Sequence, residues 1–476
     1  MHPATLMPLA CLVPALLTLG ACTGVPAAAP VPEQAMPIHG SDGRVIAAAQ
    51  GVWQSRANGW ILDVDGDGIT RWQDAPGACY RADQGGANAA TMGAIEYRYV
   101  TPEADGAQAV FQYLPGDTPT RFDRLPALPD RCSIDAPASE TALFDLFTGI
   151  IARHYGFLAE RHVDWNALVT AARPLVHDGM GEAALFEVMG GMVEALGDSH
   201  TKLIAQIDGE RRRAQGGLGE TLPTVRAGMG EGAWLGALVE QLQGEVLDPG
   251  SRMLAGGRMI AGTMAQGRIG YIQVFTMGGF VEDYEAGSPE WAAAEIAAFD
   301  GAMDEILGDL AGTEALVLDL SNNRGGYDVI ARRLAERLTD RSYLAYTVTN
   351  TGGGEPVPYV IDVAPAPRYA GPVYLLTSDV TVSGGELATL ALRQNPRVTQ
   401  AGGTTRGSFS TPLAKPLPNG WYLELSNEAF RAPDGTHYEG RGIAPQWPVE
   451  VYPPSNPVGG HGTALEWLAD AILSRQ

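Results

Sequence analysis

The residue with the most chemistry to offer is Ser383, in the stretch Pro372 to Ser408, where an apolar run leads into Thr381-Val382-Ser383-Gly384-Gly385. Val373 to Leu376 is short and apolar, as a buried strand is, and Gly385 to Arg393 places Leu387, Leu390 and Ala391 at helical spacing. The serine therefore stands at a strand-to-helix junction. A hydroxyl held there lies at the rim of a sheet, and the free amides of the helix's first turn point at any oxyanion formed beside it. The plainer reading is a serine N-cap, which the pentapeptide alone does not outweigh. Because a serine hydroxyl is a weak nucleophile at neutral pH, acyl transfer also needs a base, a group to orient that base, and oxyanion donors.

Three other stretches contain such groups. Gly197 to Leu203, GDSHTKL, carries His200, whose imidazole titrates near working pH. Leu316 to Gly326, LVLDLSNNRGG, ends in a glycine pair, which lets backbone amides approach a ligand without side-chain obstruction. Pro433 to Val451 carries Glu439 in Tyr-Glu-Gly-Arg-Gly-Ile-Ala-Pro. Taken singly, His200 reads as structural and Glu439 as a solvated surface acid.

In this order the four stretches resemble the S41 serine peptidases, the tail-specific or C-terminal processing protease family, and within it the tricorn-like branch. Leu196-Gly-Asp-Ser-His-Thr201 is similar to that family's Leu-x-Asp-x-His-Thr signature. The resemblance implies a Ser/His/Ser/Glu tetrad of Ser383, His200, Ser199 and Glu439. It also implies an oxyanion hole formed by Gly384 and one of Gly325 or Gly326, with Gly325 preferred. Ser321 and Gln446 depart from the family, which carries Arg and Asp there. Processing proteases with a Ser-Lys dyad place lysine where this chain has Ser408, and its only lysines, Lys202 and Lys415, fit that role poorly.

Around these residues the pattern predicts an α/β (α+β) multidomain chain. Short β-rich runs broken by Gly, Pro and Asp suggest a small β domain over 45–136, and three amphipathic helices a helical bundle domain over 138–205. A connecting region without a clear PDZ domain follows over 206–264. From 265 to 476 apolar strands alternate with helices, the core that the resemblance makes S41-type and ClpP/crotonase-like. Asp63, Asp65 and Asp67 match the opening of an EF-hand loop but lie between strand-like runs, where a Gly-Asp-Gly hairpin turn is the simpler account.

Composition narrows the function further. A net charge of −23 with no basic patch excludes nucleic acid and anionic membrane surfaces as partners. Neither His nor Cys shows metal-ligand spacing, so no metal and no cofactor is expected. Residues 1–22 read as a signal peptide whose Leu19-Gly20-Ala21-Cys22 has the form of a lipobox, with Cys22 the lipidation site and 23–44 an Ala/Pro-rich tether. Cys79 and Cys132 remain as one pair that an oxidising compartment could join in a disulfide. The expected protein is an exported, envelope-anchored serine endopeptidase acting on peptides or proteins. The alternative is a non-catalytic binder of apolar ligands or peptides on the same fold.

Overall fold

The computed structural model of the chain describes residues 35–82, 97–133, 138–285 and 287–475. The signal segment, Cys22 and the first part of the tether lie outside them. Among the described residues no helix is long and apolar enough to cross a membrane.

Between Met36 and Ser133 the described residues form a nine-stranded sheet of antiparallel pairs, ended by one parallel pairing that sets Cys79 beside Cys132. A disulfide joins the two, with Cα atoms 4.5 Å apart. Between the strands Trp60–Val64 and Ile69–Ala75, Asp65 Oδ1 accepts from the amides of Asp67 at 2.8 Å and Gly68 at 3.0 Å. The acidic loop is thus a hairpin turn held by its own side chain.

The helices Glu140–His154, Trp165–Ala172 and Glu182–Ala195 follow, the first two capped by Ser139 and Asp164. Their buried faces share one core with the β domain and with late strands. Phe144, Phe147 and Met189 pack in a cluster that also contains Trp53, Phe111, Trp421 and Leu423. The helical segment is therefore no separate domain. It leads into strand Lys202–Ile207, which pairs with Tyr422–Ser426 in a four-stranded sheet edged by Glu210–Gln215 and Pro412–Pro416.

A seven-stranded sheet forms the main body, in the order Arg252–Leu254, Met259–Met264, Ile269–Val274, Ala315–Asp319, Val373–Thr377, Val398–Gly402 and Trp447–Pro448. From Ile269 onward neighbouring strands are parallel, and side chains alternate between two covered faces. Leu316 and Leu318 meet helices Pro289–Asp309, Asp328–Glu336 and Gly384–Leu392. Ala315 and Val317 meet Glu231–Gln241 and Gly459–Leu473. The sheet begins at Arg252, upstream of the expected boundary at 265, because Met259–Met264 folds back on Ile269–Val274 as a hairpin. Val449 to Tyr452, though apolar in alternation, forms no strand; Val451 and Tyr452 pack against the helices of this second face.

Lys415 anchors the β domain to the four-stranded sheet. It is fully buried in Pro412–Pro416, and its ammonium donates to the Asn58 carbonyl and, at 3.0 Å, to Gln73 Oε1. Replacing Lys415 by Met leaves both acceptors buried without that donor, at a cost of about 1–3 kcal/mol each. A lower urea midpoint for Lys415→Met is the expected result, and an unchanged midpoint would mean that the contact contributes nothing.

Candidate active site

Ser383 lies just beyond Val373–Thr377, at the carboxyl end of a central parallel strand, where sheets of this kind hold their ligands. Two hydroxyls fix the intervening turn to the neighbouring strand's loop: Ser378 Oγ donates to the Ser321 carbonyl at 2.5 Å and Thr381 Oγ1 to the Leu320 carbonyl at 2.7 Å. Ser383 itself has φ 58° and ψ −123°, a conformation costing a non-glycine residue of order 1–3 kcal/mol. It occupies the N-cap position of Gly384–Leu392, yet its side chain makes no capping bond. The hydroxyl is thereby left for other chemistry, contrary to the plain N-cap reading.

The glycine pair after Ala315–Asp319 is shaped around this serine. A Cβ on Gly325, whose φ is +84°, would lie 2.5 Å from Ser383 Cβ and 3.0 Å from its Oγ. Only glycine admits the approach. The Gly325 amide donates to Asn323 Oδ1 at 2.9 Å, so the preferred oxyanion donor of the pair is already engaged. The Gly326 and Gly384 amides have no acceptor among the described residues, and a Cβ on Gly384 would lie 3.1 Å from Gly326 N. The free donors beside Ser383 are therefore Gly326 and Gly384.

His200 sits in the turn between helix Glu182–Ala195 and strand Lys202–Ile207. Asp198 shapes that turn, its Oδ1 accepting from the His200 amide at 2.9 Å and its Oδ2 from Thr201 Oγ1 at 2.9 Å. Burial pulls the His200 imidazole down to about 4, against the Asp198 charge and the Ser410 carbonyl, which favour the protonated ring. Nδ1 of the ring is buried with no hydrogen-bond partner. Asp198 is held below the usual carboxylate range: burial raises it, but the charges of Arg161 and His200 and the His200 amide outweigh burial.

The segment 407–410 connects these parts. Its four successive amides donate to two buried carboxylates. Gly407 and Ser408 reach Glu386 at 2.6 and 2.7 Å, and Phe409 and Ser410 reach Glu439 at 2.8 and 3.2 Å. The Ser408 carbonyl accepts from the Ser383 amide at 3.1 Å, and Ser408 Oγ accepts from Ser199 Oγ at 2.8 Å. Burial and the Asp198 charge push Glu439 up to about 8, against Arg161 and the Phe409 amide.

The expected tetrad is thus brought to one segment but not wired as expected. Ser199 bonds Ser408, not Glu439, and Glu439 bonds backbone amides and Arg161 Nη2 at 2.8 Å, not Ser199 or the imidazole. Ser383 Oγ and the His200 ring share no hydrogen bond. Of the lysines, Lys202 forms an ion pair with Glu424 at 2.5 Å, and Lys415 is occupied by the β domain.

Three residues of the site are absent from the sequence reading in these roles. Arg161 bridges Asp198 at 3.4 Å and Glu439 at 2.8 Å while donating to the carbonyls of Gly197 and Gly407. Glu386 holds two amides of the 407–410 segment. Ser408, weighed only as a missing lysine, joins Ser199 to Ser383. Ser383, Gly325 and Gly326 face a cleft of 640 Å³ between the β domain and the main body.

An uncapped, strained serine facing two unbonded glycine amides is an arrangement that could attack a carbonyl and hold the oxyanion formed. Comparison with known proteins adds a family likeness: residues 268–449, less than half of the chain, match Peptidase family S41. The match includes Ser383, the glycine pairs and Glu439, whereas Ser199 and His200 lie upstream of it. Among solved structures, the fold is similar to a candidate peptidase from Parabacteroides merdae, at 22% identity over 71% of this chain and 98% of that one, with a TM-score of 0.58. It is likewise similar to mature CPAF, at 12% identity over 71% and 98% of the two chains, with a TM-score of 0.53. No curated protein matches the chain in sequence.

Gly325→Ala should displace Ser383 without unfolding the sheet. Labelling of Ser383 by a fluorophosphonate is expected to fall about 100-fold with the circular dichroism spectrum retained. Unaltered labelling would show that the close approach has no bearing on the serine.

Proposed function

We propose that the chain is an exported serine endopeptidase that cleaves through an acyl-enzyme. Ser383 Oγ attacks the peptide carbonyl carbon and its proton passes to His200. The resulting oxyanion is held by the Gly326 and Gly384 amides. His200 then protonates the leaving amine, and a water molecule, deprotonated by His200, releases the acyl group. Ser199 and Glu439 act through the 407–410 segment as positioning residues. The observation that carries the reading is the free Ser383 hydroxyl set beside two unbonded amides. The gap between Ser383 and His200 is compatible with it, since catalytic hydrogen bonds in unliganded sites are often long and tighten around substrate.

Export rests on the apolar N-terminal run and on the Cys79–Cys132 disulfide, which persists in oxidising compartments. Lipidation of Cys22 would attach the chain to the cell envelope, at the outer membrane or on the periplasmic face. The missing Ser383 to His200 bond favours a second reading, a binder of apolar ligands or peptides without turnover.

Ser383→Ala separates the two readings. Loss of both fluorophosphonate labelling and peptide cleavage is expected; a wild-type chain that neither labels nor cleaves would establish the binder.

The pH dependence follows from His200, which serves as base only when neutral. With its pKa lowered to about 4, the ring stays neutral well into acid and is lost only as pH falls through that value. Labelling of Ser383 should therefore be level from about pH 7 to 5 and half lost near 4. Half-loss at about 6.5, the ordinary histidine value, would show that burial does not hold the ring down in the working enzyme.

A further inference from the structure

The cleft in front of Ser383 carries a charge imbalance that the proposed catalytic steps do not use. Its apolar walls come from both sides of the molecule: Tyr113 from the β domain, and Tyr327, Leu387, Phe409 and Leu413 from the main body. Among its charged groups, Lys202 is paired with Glu424 at 2.5 Å and Arg324 with Glu231 at 2.5 Å. Asp117, Asp328 and Glu428 line the same cleft.

These three carboxyls share few compensating partners. Asp328 bonds Arg332 at 2.8 Å and Thr118 Oγ1 at 2.6 Å. Asp117 abuts Asp328, and burial together with that neighbouring charge raises it well above the usual carboxylate range. Glu428 is 7% exposed; Thr411 hydrogen-bonds its carboxyl, but Oε2 has no partner among the described residues. Burial, reinforced by the Asp328 charge, pushes Glu428 up to about 7. A buried carboxyl with an orphan oxygen is costly unless a proton or a cation satisfies it.

We propose that this part of the cleft binds the cationic side chain of a peptide substrate, a lysine or arginine flanking the scissile bond, with Glu428 as its counter-charge. The aromatic and aliphatic walls cover the methylene stem, as apolar surfaces do for lysine and arginine. The ammonium or guanidinium supplies a counter-charge beside the Glu428 carboxyl, which lines the cleft. A neutral side chain of equal length fills the same space and leaves that carboxyl uncompensated, which is the basis of discrimination. The assignment of the side chain to a position beside the scissile bond rests on the peptidase reading; its binding to the cleft does not.

The test uses full-length protein and matched peptides that differ only in lysine against norleucine at one position. Wild-type kcat/KM should favour lysine by at least about tenfold, Glu428→Gln should bring the ratio towards one, and Glu428→Asp should retain part of it. The labelled peptides are also titrated into Ser383→Ala by fluorescence anisotropy, where tighter binding of the lysine peptide is expected and its ratio decides if Glu428→Gln does not fold. Equal treatment of the two peptides by wild type, or a ratio unchanged by Glu428→Gln, overturns the proposal. Lysine-selective binding without any cleavage would keep this site and sink the peptidase reading, whereas cleavage with no preference would do the reverse.

Discussion

The site depends on one arrangement of backbone and charge: the amides of residues 407–410 held by the buried carboxylates of Glu386 and Glu439. Away from water, four unpaired amides would each cost about as much as a lost hydrogen bond. Glu386 belongs to the helix that Ser383 begins, and Glu439 comes from a loop near the end of the chain. Pairing the amides with these two acids therefore fixes the helix, the loop and the segment relative to each other. Ser408 passes that order on, through its carbonyl to the Ser383 amide and through its hydroxyl to Ser199.

Glu439 and the neighbouring Asp198 in turn share one cation, Arg161. It comes from the turn after the first helix, and it joins the loop bearing Glu439 to the one bearing His200. The pairing of Lys202–Ile207 with Tyr422–Ser426 makes the same connection with backbone hydrogen bonds. The first half of the chain thus supplies the imidazole and the arginine, and the second half the serine and the amides. Such a division explains why the helices share their core with both the β domain and the late strands, and form no independent unit.

What could be read from sequence was what is local. Ser383 at a strand-to-helix junction and the glycine pair after Ala315–Asp319 leave signatures within a few residues, and both stand where the pattern placed them. Ile269–Val274, Ala315–Asp319 and Val373–Thr377 were legible as apolar runs because helices cover both faces of the sheet. Arg161 and Glu386 left no such trace: an arginine after a helix and a glutamate in a first turn are ordinary surface choices, and their burial follows from contacts made across the fold. The start of the sheet at Arg252 was hidden for the same reason, since Met259–Met264 is defined by the strand it pairs with. Gly325 was preferred over Gly326 because the motif cannot reveal that Asn323 already accepts the first amide.

The resting geometry has its own logic. In the proposed mechanism the oxyanion side is complete before any substrate arrives: the Ser383 backbone is strained into place, and the Gly326 and Gly384 amides have no acceptor among the described residues. The proton side is incomplete, with Nδ1 of His200 buried and unpaired, a deficit of about 1–3 kcal/mol. The first side concerns groups that would be satisfied once a carbonyl is attacked. Interactions missing in the ground state and made in the transition state are those that accelerate a reaction, so the unsatisfied atoms around Ser383 are better understood as reserved for the transition state than as imperfections of packing.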